Sequence, residues 1–582
     1  MSSIARTQKK VWSICRPSSL AQSLAEQLRI RPLTAQVLVN RDLSCVESAR
    51  SFLSPKLTDL IEPGRMPGVE AAVERILKAL SGKEKIAIYG DYDVDGITGV
   101  AILWHLLRML GAKVEYYIPH RIDEGYGLNS EAVGQLGQSG VSLVITVDCG
   151  ISAVAEVEHA AKAGMDVIIT DHHQPGPTLP EAVAIVHPLL RPDYPNPHSS
   201  GAMVAFKLAW AIANTTKGTG PLGPQLREYL LNATTLAAMG TIADVVDLRG
   251  ENRILTGYGL KGLSLCRQIG IRAISDAAEL NAAADPNSYD VAFKLAPMLN
   301  AAGRMGHARL AVELLTTDNP LRAMHIAAYL KEQNKLRQKC QSQILRHARE
   351  LIGRSGLAHP DRRSIVIADE SWHSGVIGVV ASRIIEQFYR PTLLIAINNG
   401  AGHGSGRSIP GFDLYAGLAA CSEYLTSFGG HEMAAGFRIE TANIQPFAEA
   451  FEQYARRTLR DEVPQQSLQI EALVGICDID QKLLRELSTL EPFGQGNPRP
   501  IFATRAVRLI SPPRRVGRTN DHLQLSIADN TGTAVRCVGF GMGHLEKKLI
   551  EAETFDIAYQ PQQDNYNGRN GVQLVLADIQ FE

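Results

Sequence analysis

From about residue 84 the chain alternates short β-branched runs with stretches of helical spacing, the mark of βαβ units on a parallel sheet. "KIAIYG" (85–90) reads as a strand, and "ITGVAILWHLLRMLG" (97–111) as a helix stopped by a glycine cap at Gly111. "KVEYYIP", "VSLVITVDCG", "DVIITDHH" and "VAIVHP" continue the strands, with "SAVAEVEHAAKAG" as a crossover helix. This stretch predicts a doubly wound α/β lobe, running into an alanine-rich helical region from about Gly201 to Arg304.

Residues 321–350 contain neither Pro nor Gly and carry seven Lys or Arg against two Glu, which predicts one long basic helix. A second α/β unit follows, with strands "SIVIAD" and "TLLIAI", a Gly-rich loop at 400–406 and a helical stretch to about Arg460. Two α/β lobes joined by a long helix are expected to face a cleft. From about Gln466 the pattern changes to period two, in "FATRAVRLI", "HLQLSIAD", "TAVRCVGF", "FDIAYQP" and "VQLVLADIQF", predicting a small barrel or sandwich. The expected organisation is an N-terminal segment packed on the first lobe (1–75), a catalytic α/β domain (76–318), the connecting helix (319–353), a second α/β domain (354–462) and the β domain (463–582).

At 582 residues the chain is too long for one hydrophobic core, and about three or four units are expected. Its formal net charge of −1 offers no global attraction for nucleic acid, so any such surface must be local. The eight cysteines are scattered without CxxC spacing, which predicts reduced thiols in the cytoplasm and no zinc module. No segment approaches about 18 uninterrupted apolar residues, so no membrane span is expected.

Four acidic or His-containing clusters fall just after predicted strands: Asp91, Asp93 and Asp95; Asp148; Asp171, His172 and His173; and Asp244. In an open parallel sheet the carboxyl ends of the strands form the ligand crevice, where such clusters can converge. Any one Asp in such a place also fits a helix cap or turn. Together, carboxylates with imidazole suit Mn²⁺ or Mg²⁺, and six or so ligands around two ions would support phosphodiester hydrolysis by in-line water attack.

"DYDVDG", "VDCG", "DHH" and "ADVVDL", in this order, resemble the four motifs of the DHH phosphoesterase family. "YIPHRIDEGYGLN", "LNAAGRMGHA", "GSGRS" and "FGGHEMAAG" narrow the resemblance to its DHH/DHHA1 exonucleases, across roughly residues 40–582. The resemblance implies a 5′-to-3′ exonuclease on single-stranded DNA, active in recombination and repair. Its implied parts are DHH and DHHA1 lobes, an OB-like barrel and two divalent cations, Mn²⁺ in preference to Mg²⁺. By position, Asp93, Asp95, Asp148, His172 and Asp244 match metal ligands, as does Asp91 where many relatives carry His. His173 matches the second family His, which orients or protonates the scissile phosphate or its leaving oxygen, and Asp171 would hold an imidazole by its other nitrogen. Ser405 and Arg407, aided by Arg304, His403 and His431, would grip the 5′-phosphate. Arg121 and Tyr126 would contact a backbone phosphate and stack on a base, although a solvated Arg and a packed Tyr fit as well.

The basic helix could line a DNA channel or simply be a solvated face, and "PPRRVGRTN" (512–520) places three Arg in a barrel loop. The partners implied are a single-strand-binding protein and a DNA helicase, with the enzyme as a monomer. Two other readings remain at this level: a DHH phosphodiesterase for short oligonucleotides or cyclic dinucleotides, and a non-catalytic nucleic-acid-binding scaffold. The second predicts eroded metal ligands, and none is eroded in the motifs.

Overall fold

The structure is a computed structural model that describes residues 10–120, 124–218, 220–280, 285–304, 307–459, 465–564 and 571–581. It divides into two compact units: Ser13–Gly303 with His307–Tyr329 and Gln469–Glu582, and Met1–Trp12 with Arg304–Gly306 and Leu330–Leu468.

In the larger unit, β1 (Lys85–Gly90), β2 (Lys113–Tyr117), β3 (Leu143–Val147), β4 (Asp166–Thr170) and β5 (Ala184–Val186) form a fully parallel sheet of order β2-β1-β3-β4-β5. Every predicted strand of this lobe is present. Ile86, Ala87, Ile88 and Tyr89 are wholly buried, because helices cover both faces of a parallel sheet. The helix α1 (Val94–Met109) leaves β1 through Asp93, whose side chain caps it, and Gly111 closes it at φ +81°. Helices α2 (Gly201–Thr216) and α3 (Pro224–Ala243) pack against α1. Residues 91, 148 and 171 therefore come directly after the carboxyl ends of β1, β3 and β4.

The N-terminal helices depart from expectation. Ser19–Leu28, Pro32–Val39 and Val46–Leu53 bury Leu24, Val37, Leu38 and Ala49 in one core with Phe502, Leu525, Phe555 and Ile557 of the C-terminal β segment, not with the first lobe. The rest of the segment does lie on the first lobe: Pro63–Arg65 packs against α2, and the helix Val69–Ser81 against α2 and β5. Amphipathic spacing shows that a helix has a buried face, not which distant element covers it.

The second unit holds β6 (Ile365–Asp369), β7 (Thr392–Asn398), β8 (Ala401–Arg407), β9 (Leu425–Gly430) and β10 (Ala434–Glu440) in the order β9-β10-β8-β7-β6. The helix α4 (Pro320–Arg354) is the predicted basic helix, and the division between units falls within it. The expected Gly-rich loop at 400–406 is instead β8. Its glycines alternate because that face is crowded: a Cβ would lie 2.8 Å from Ile395 and Ile439 at Gly402, 2.1 Å from the Phe437 ring at Gly404 and 2.4 Å from Leu393 at Gly406. The helical stretch expected up to about Arg460 likewise contains β9 and β10 before the helix Ile444–Leu459.

The C-terminal strands Ala472–Leu473, Phe502–Leu509, Arg514–Val516, His522–Ala528, Ala534–Gly539, Phe555–Asp564 and Gly571–Gln580 form a seven-stranded sheet. Arg508 and Leu509 also pair with Ala528 and Ile527, curling the sheet into a partly closed ring, a barrel rather than a sandwich. Two of the three Arg expected in a loop, Arg514 and Arg515, lie on a strand paired with His522–Ala528, and Arg515 Nε is 2.7 Å from Glu546. Among the described residues no helix is long and apolar enough to cross a membrane.

Candidate metal centre

The crossing of parallel strands sets the site. Asp91 comes after β1, with its N–H on Val147 O at 3.1 Å, and Asp148 after β3, with its N–H on Thr170 O at 2.9 Å. Asp148 sits at φ +63°, a left-handed conformation that Asp tolerates and that turns its side chain off the strand line. Asp171 and the two histidines come after β4, whereas Asp244, expected after a strand, is instead the residue that caps the C-terminus of α3, because its alanine-rich surroundings are helical. Val245 then turns the chain at φ +60°, which for a β-branched residue costs about 1–3 kcal/mol.

Donor atoms of Asp91, Asp93 and Asp148 lie within 4.8 Å of one another, as do those of Asp95, His172 and Asp244, and those of Asp148, His172 and His173. His172 Nε2 is 3.0 Å from Asp148 Oδ1 and 3.6 Å from Asp244 Oδ2. Both His172 Nε2 and Asp148 Oδ1 are buried without a hydrogen bond, which is costly unless a cation takes their lone pairs. Burial, and then the neighbouring Asp95, Asp93 and Asp91, pushes the Asp148 carboxyl well above the usual carboxylate range. Burial with Asp93 lifts Asp95 to about 7, and burial with Asp95 and Asp93 lifts Asp244 to about 8. Burial, then the charge of His173, holds His172 down at about 3, the neutral form a metal ligand needs. Mutually repelling acids around a neutral imidazole are the donor set for a hard or borderline divalent cation.

Asp171 plays a different part. Its Oδ1 accepts the N–H of His172 at 2.7 Å and His173 Nδ1 at 2.8 Å, and its Oδ2 accepts the Ile151 N–H at 2.9 Å. Burial alone would raise this carboxyl, but His173 and the backbone donors outweigh it and hold it at about 2. Burial would likewise lower His173, yet the bond and charge of Asp171 carry it to about 9, so it is an imidazolium at neutral pH.

Other residues at the centre were not marked by the sequence. Asp95 accepts the Gly201 and Ala202 N–H groups at the start of α2, at 2.5 and 2.9 Å. Gly201 and Gly240 leave no room for a side chain, since a Cβ would meet Asp148 at 2.6 Å and Asp95 Oδ1 at 2.5 Å respectively. Asn300 Oδ1 accepts the Val94 N–H at 3.2 Å. His187 accepts the Leu189 N–H on Nδ1, so its proton is on Nε2, which donates to His173 O at 2.8 Å. Buried glycines and a His after a strand were the only signals.

Tyr126 joins this centre. Its hydroxyl donates to Asp148 O at 3.0 Å and lies 3.1 Å from His173 Nδ1, while its ring is half exposed. Arg121 lies outside the described residues.

In the second unit, β8 presents His403, Ser405 and Arg407 between its glycines. Helix α5 (Ser374–Phe388) lies beside them: a Cβ on Gly378 would be 2.8 Å from Ser405 Oγ and 3.3 Å from Arg407 Nη2. Arg304 Nη1 donates to Gly375 O at 3.0 Å in the same first turns. The first turns of α5 thus carry Arg304 at Gly375 and lie beside Ser405 and Arg407 at Gly378, two guanidiniums and a hydroxyl on one short stretch of helix. His431 is exposed in the β9–β10 turn, with its N–H on the carbonyl oxygen of Ala434, the residue paired with Arg407.

Comparison with known families matches residues 85–239 to the DHH family, N-terminal domain, 362–457 to the DHHA1 domain, and 470–578 to the RecJ OB domain. The chain is 39% identical over 578 residues to the single-stranded-DNA-specific exonuclease RecJ of Bacillus subtilis, covering 98% of this chain and 71% of that one. The chain belongs to the RecJ family. RecJ of Thermus thermophilus is 38% identical over 437 residues, 75% of this chain and 61% of its own length. The crystal structure of the T. thermophilus RecJ in complex with Mn²⁺ matches with a TM-score of 0.84 at 31% identity, over 98% of this chain and 80% of that one. The Mg²⁺ complex matches with a TM-score of 0.78 at 30% identity, over 98% of this chain and 78% of that one. The RecJ relatives' cations agree with the cation class that the donor chemistry of this centre selects.

Proposed function

We propose that the chain is a metal-dependent hydrolase, a single-stranded-DNA-specific exonuclease that degrades from the 5′ end and releases 5′-mononucleotides. The observation that carries this is the convergence of Asp91, Asp93, Asp95, Asp148, His172 and Asp244 with two buried lone-pair donors left without hydrogen bonds. These six residues would hold two divalent cations, Mn²⁺ or Mg²⁺. When bound, such cations lower the pKa of an attacking water and offset charge on the scissile phosphate.

The remaining chemistry belongs to side chains. His173, kept protonated and aimed by Asp171 Oδ1, donates to the scissile phosphate or supplies a proton to the departing 3′-oxygen. Tyr126 steadies that imidazole through its hydroxyl and leaves its exposed ring face for a base. Asp171 works through His173 rather than as a ligand. Arg304, Ser405 and Arg407 receive a terminal phosphate, aided by His403 and His431, and the planar forks of the two Arg favour phosphate over hydroxyl. The same proposal has the protein work as a cytoplasmic monomer beside a single-strand-binding protein and a helicase.

Hydrolysis of short oligonucleotides is the second reading, and the C-terminal barrel weighs against it by offering a surface for a longer strand. A non-catalytic scaffold is disfavoured because all six ligands are intact. In the deciding assay, 5′-labelled single strands carrying 5′-phosphate or 5′-hydroxyl are incubated with Mn²⁺ and with Mg²⁺. Mononucleotide release is expected with either metal and faster from the 5′-phosphate strand; no release with either metal overturns the proposal.

A further inference from the structure

Val245, strained at φ +60° directly after Asp244, can keep that conformation only if residues 246–249 are held firmly. A loop of the barrel segment does the holding. Leu248 N–H donates to Gln495 O at 2.8 Å, Arg249 Nε to Gly496 O at 2.6 Å, and the Ser288 hydroxyl to Phe493 O. The two backbones touch. A Cβ on Gly496, whose φ is +68°, would lie 2.9 Å from Asp247 Cγ, and one on Gly494 would lie 2.7 Å from Leu248 Cδ1.

The loop is locked from behind by two buried guanidiniums. Arg253, 2% exposed, donates through Nη1 to Leu490 O at 2.8 Å and through Nη2 to Thr489 O at 3.1 Å. Its Nε reaches Phe52 O at 3.2 Å, with the Phe52 ring centroid 3.7 Å from Cζ. Arg41, 8% exposed, donates to Asn497 Oδ1 and to Pro498 O, the latter at 2.7 Å. Asn497 is wholly buried and gives its amide to Leu490 O at 2.9 Å and Pro492 O at 2.7 Å. Glu471, 3.8 Å from Arg41 and equally buried, offsets part of that charge, but desolvating Arg253 to fix main-chain carbonyls is unfavourable unless the fixed geometry matters.

We infer that the loop Thr489–Pro498 is a positioning element for the metal centre: it fixes residues 245–249, and through them the direction in which Asp244 offers its carboxylate. Cation affinity is therefore set partly by the barrel segment. This rests on the proposed role of Asp244 as a ligand.

The test uses the full chain and Mn²⁺ alone, monitored by calorimetry and by the electron paramagnetic resonance of free Mn²⁺. Gly496→Ala should weaken Mn²⁺ binding about tenfold, the scale found for residues that orient a ligand. Arg249→Ala, exposed and removing one hydrogen bond, should weaken it by a smaller factor and leave the metal-free unfolding midpoint unchanged. Gly532→Ala, equally strained at φ +82° but with nothing within 4 Å of the new Cβ, should bind as the wild type does. Should Gly496→Ala fail to fold, Arg249→Ala decides. If Asp244→Asn weakens Mn²⁺ binding while the folded loop variants bind normally, the positioning role is overturned alone. If Asp244→Asn binds like the wild type, the ligand assignment is overturned and the positioning role with it.

Discussion

At the scale of single residues the centre is a store of electrostatic strain that cations relieve. Asp148 is buried among Asp95, Asp93 and Asp91, so its charged form is opposed in the metal-free protein. Asp148→Asn should therefore raise the thermal midpoint in EDTA while abolishing cleavage, and it should retain single-strand binding; scanning calorimetry with and without Mn²⁺ checks the exchange of stability for function. A lower midpoint in EDTA would mean that Asp148 is chiefly structural. His173 behaves in the opposite sense. Its folded pKa, about 9, lies above the unfolded value of about 6.5, so its ion pair with Asp171 contributes stability fully below about pH 6.5 and loses it as pH rises through 9. Nuclear magnetic resonance of the labelled imidazole should show this titration in the metal-free protein, shifted downward by Mg²⁺ because added positive charge opposes the imidazolium. Asp171→Asn should bring the His173 titration back towards or below 6.5.

At the scale of elements, what was legible and what was not divides by the range of the interactions involved. The parallel strands were visible in the sequence because burial on both faces demands continuous apolar runs such as "KIAIYG" and "DVIITD", a local property. The acids at 91, 148 and 171 were visible because strand ends are local too, whereas Asp244 stands at the end of a helix. Strand β8 was hidden, since "AGHGSGR" has no apolar alternation; its glycines answer to Phe437, Leu393 and Ile395 on neighbouring strands. The same blindness hid the N-terminal helices' partner and the amides of Gly201 and Ala202 on Asp95. Because β8 is a flat-faced strand, Gly404→Val should drive a side chain into the Phe437 ring and destabilise the second unit by about 1–3 kcal/mol or more, read by urea unfolding. By contrast, Arg407→Gln, on its other face, should fold normally. It should reduce the preference for 5′-phosphate over 5′-hydroxyl strands, seen as a rise in KM confined to the phosphorylated substrate.

For the whole molecule, charge sets how substrate is captured. With 59 basic and 60 acidic side chains the protein has no net attraction for a polyanion, and cations at the centre add only local positive charge. Some of the basic surface is already compensated: Arg322 pairs with Glu313, Lys335 with Glu332 and Arg515 with Glu546. On the proposed function, binding would then rest on a few placed contacts, Arg304 and Arg407 together with a small number of barrel arginines such as Arg514 and Arg518. For single strands log K falls with log salt by about 0.7 for each phosphate neutralised, so about four contacts predict a slope near −3. Anisotropy titrations of a labelled strand with Asp148→Asn across a series of KCl concentrations would measure it. A slope steeper than about −6 would require roughly nine neutralised phosphates, and so a continuous basic track, with α4 the element to supply it.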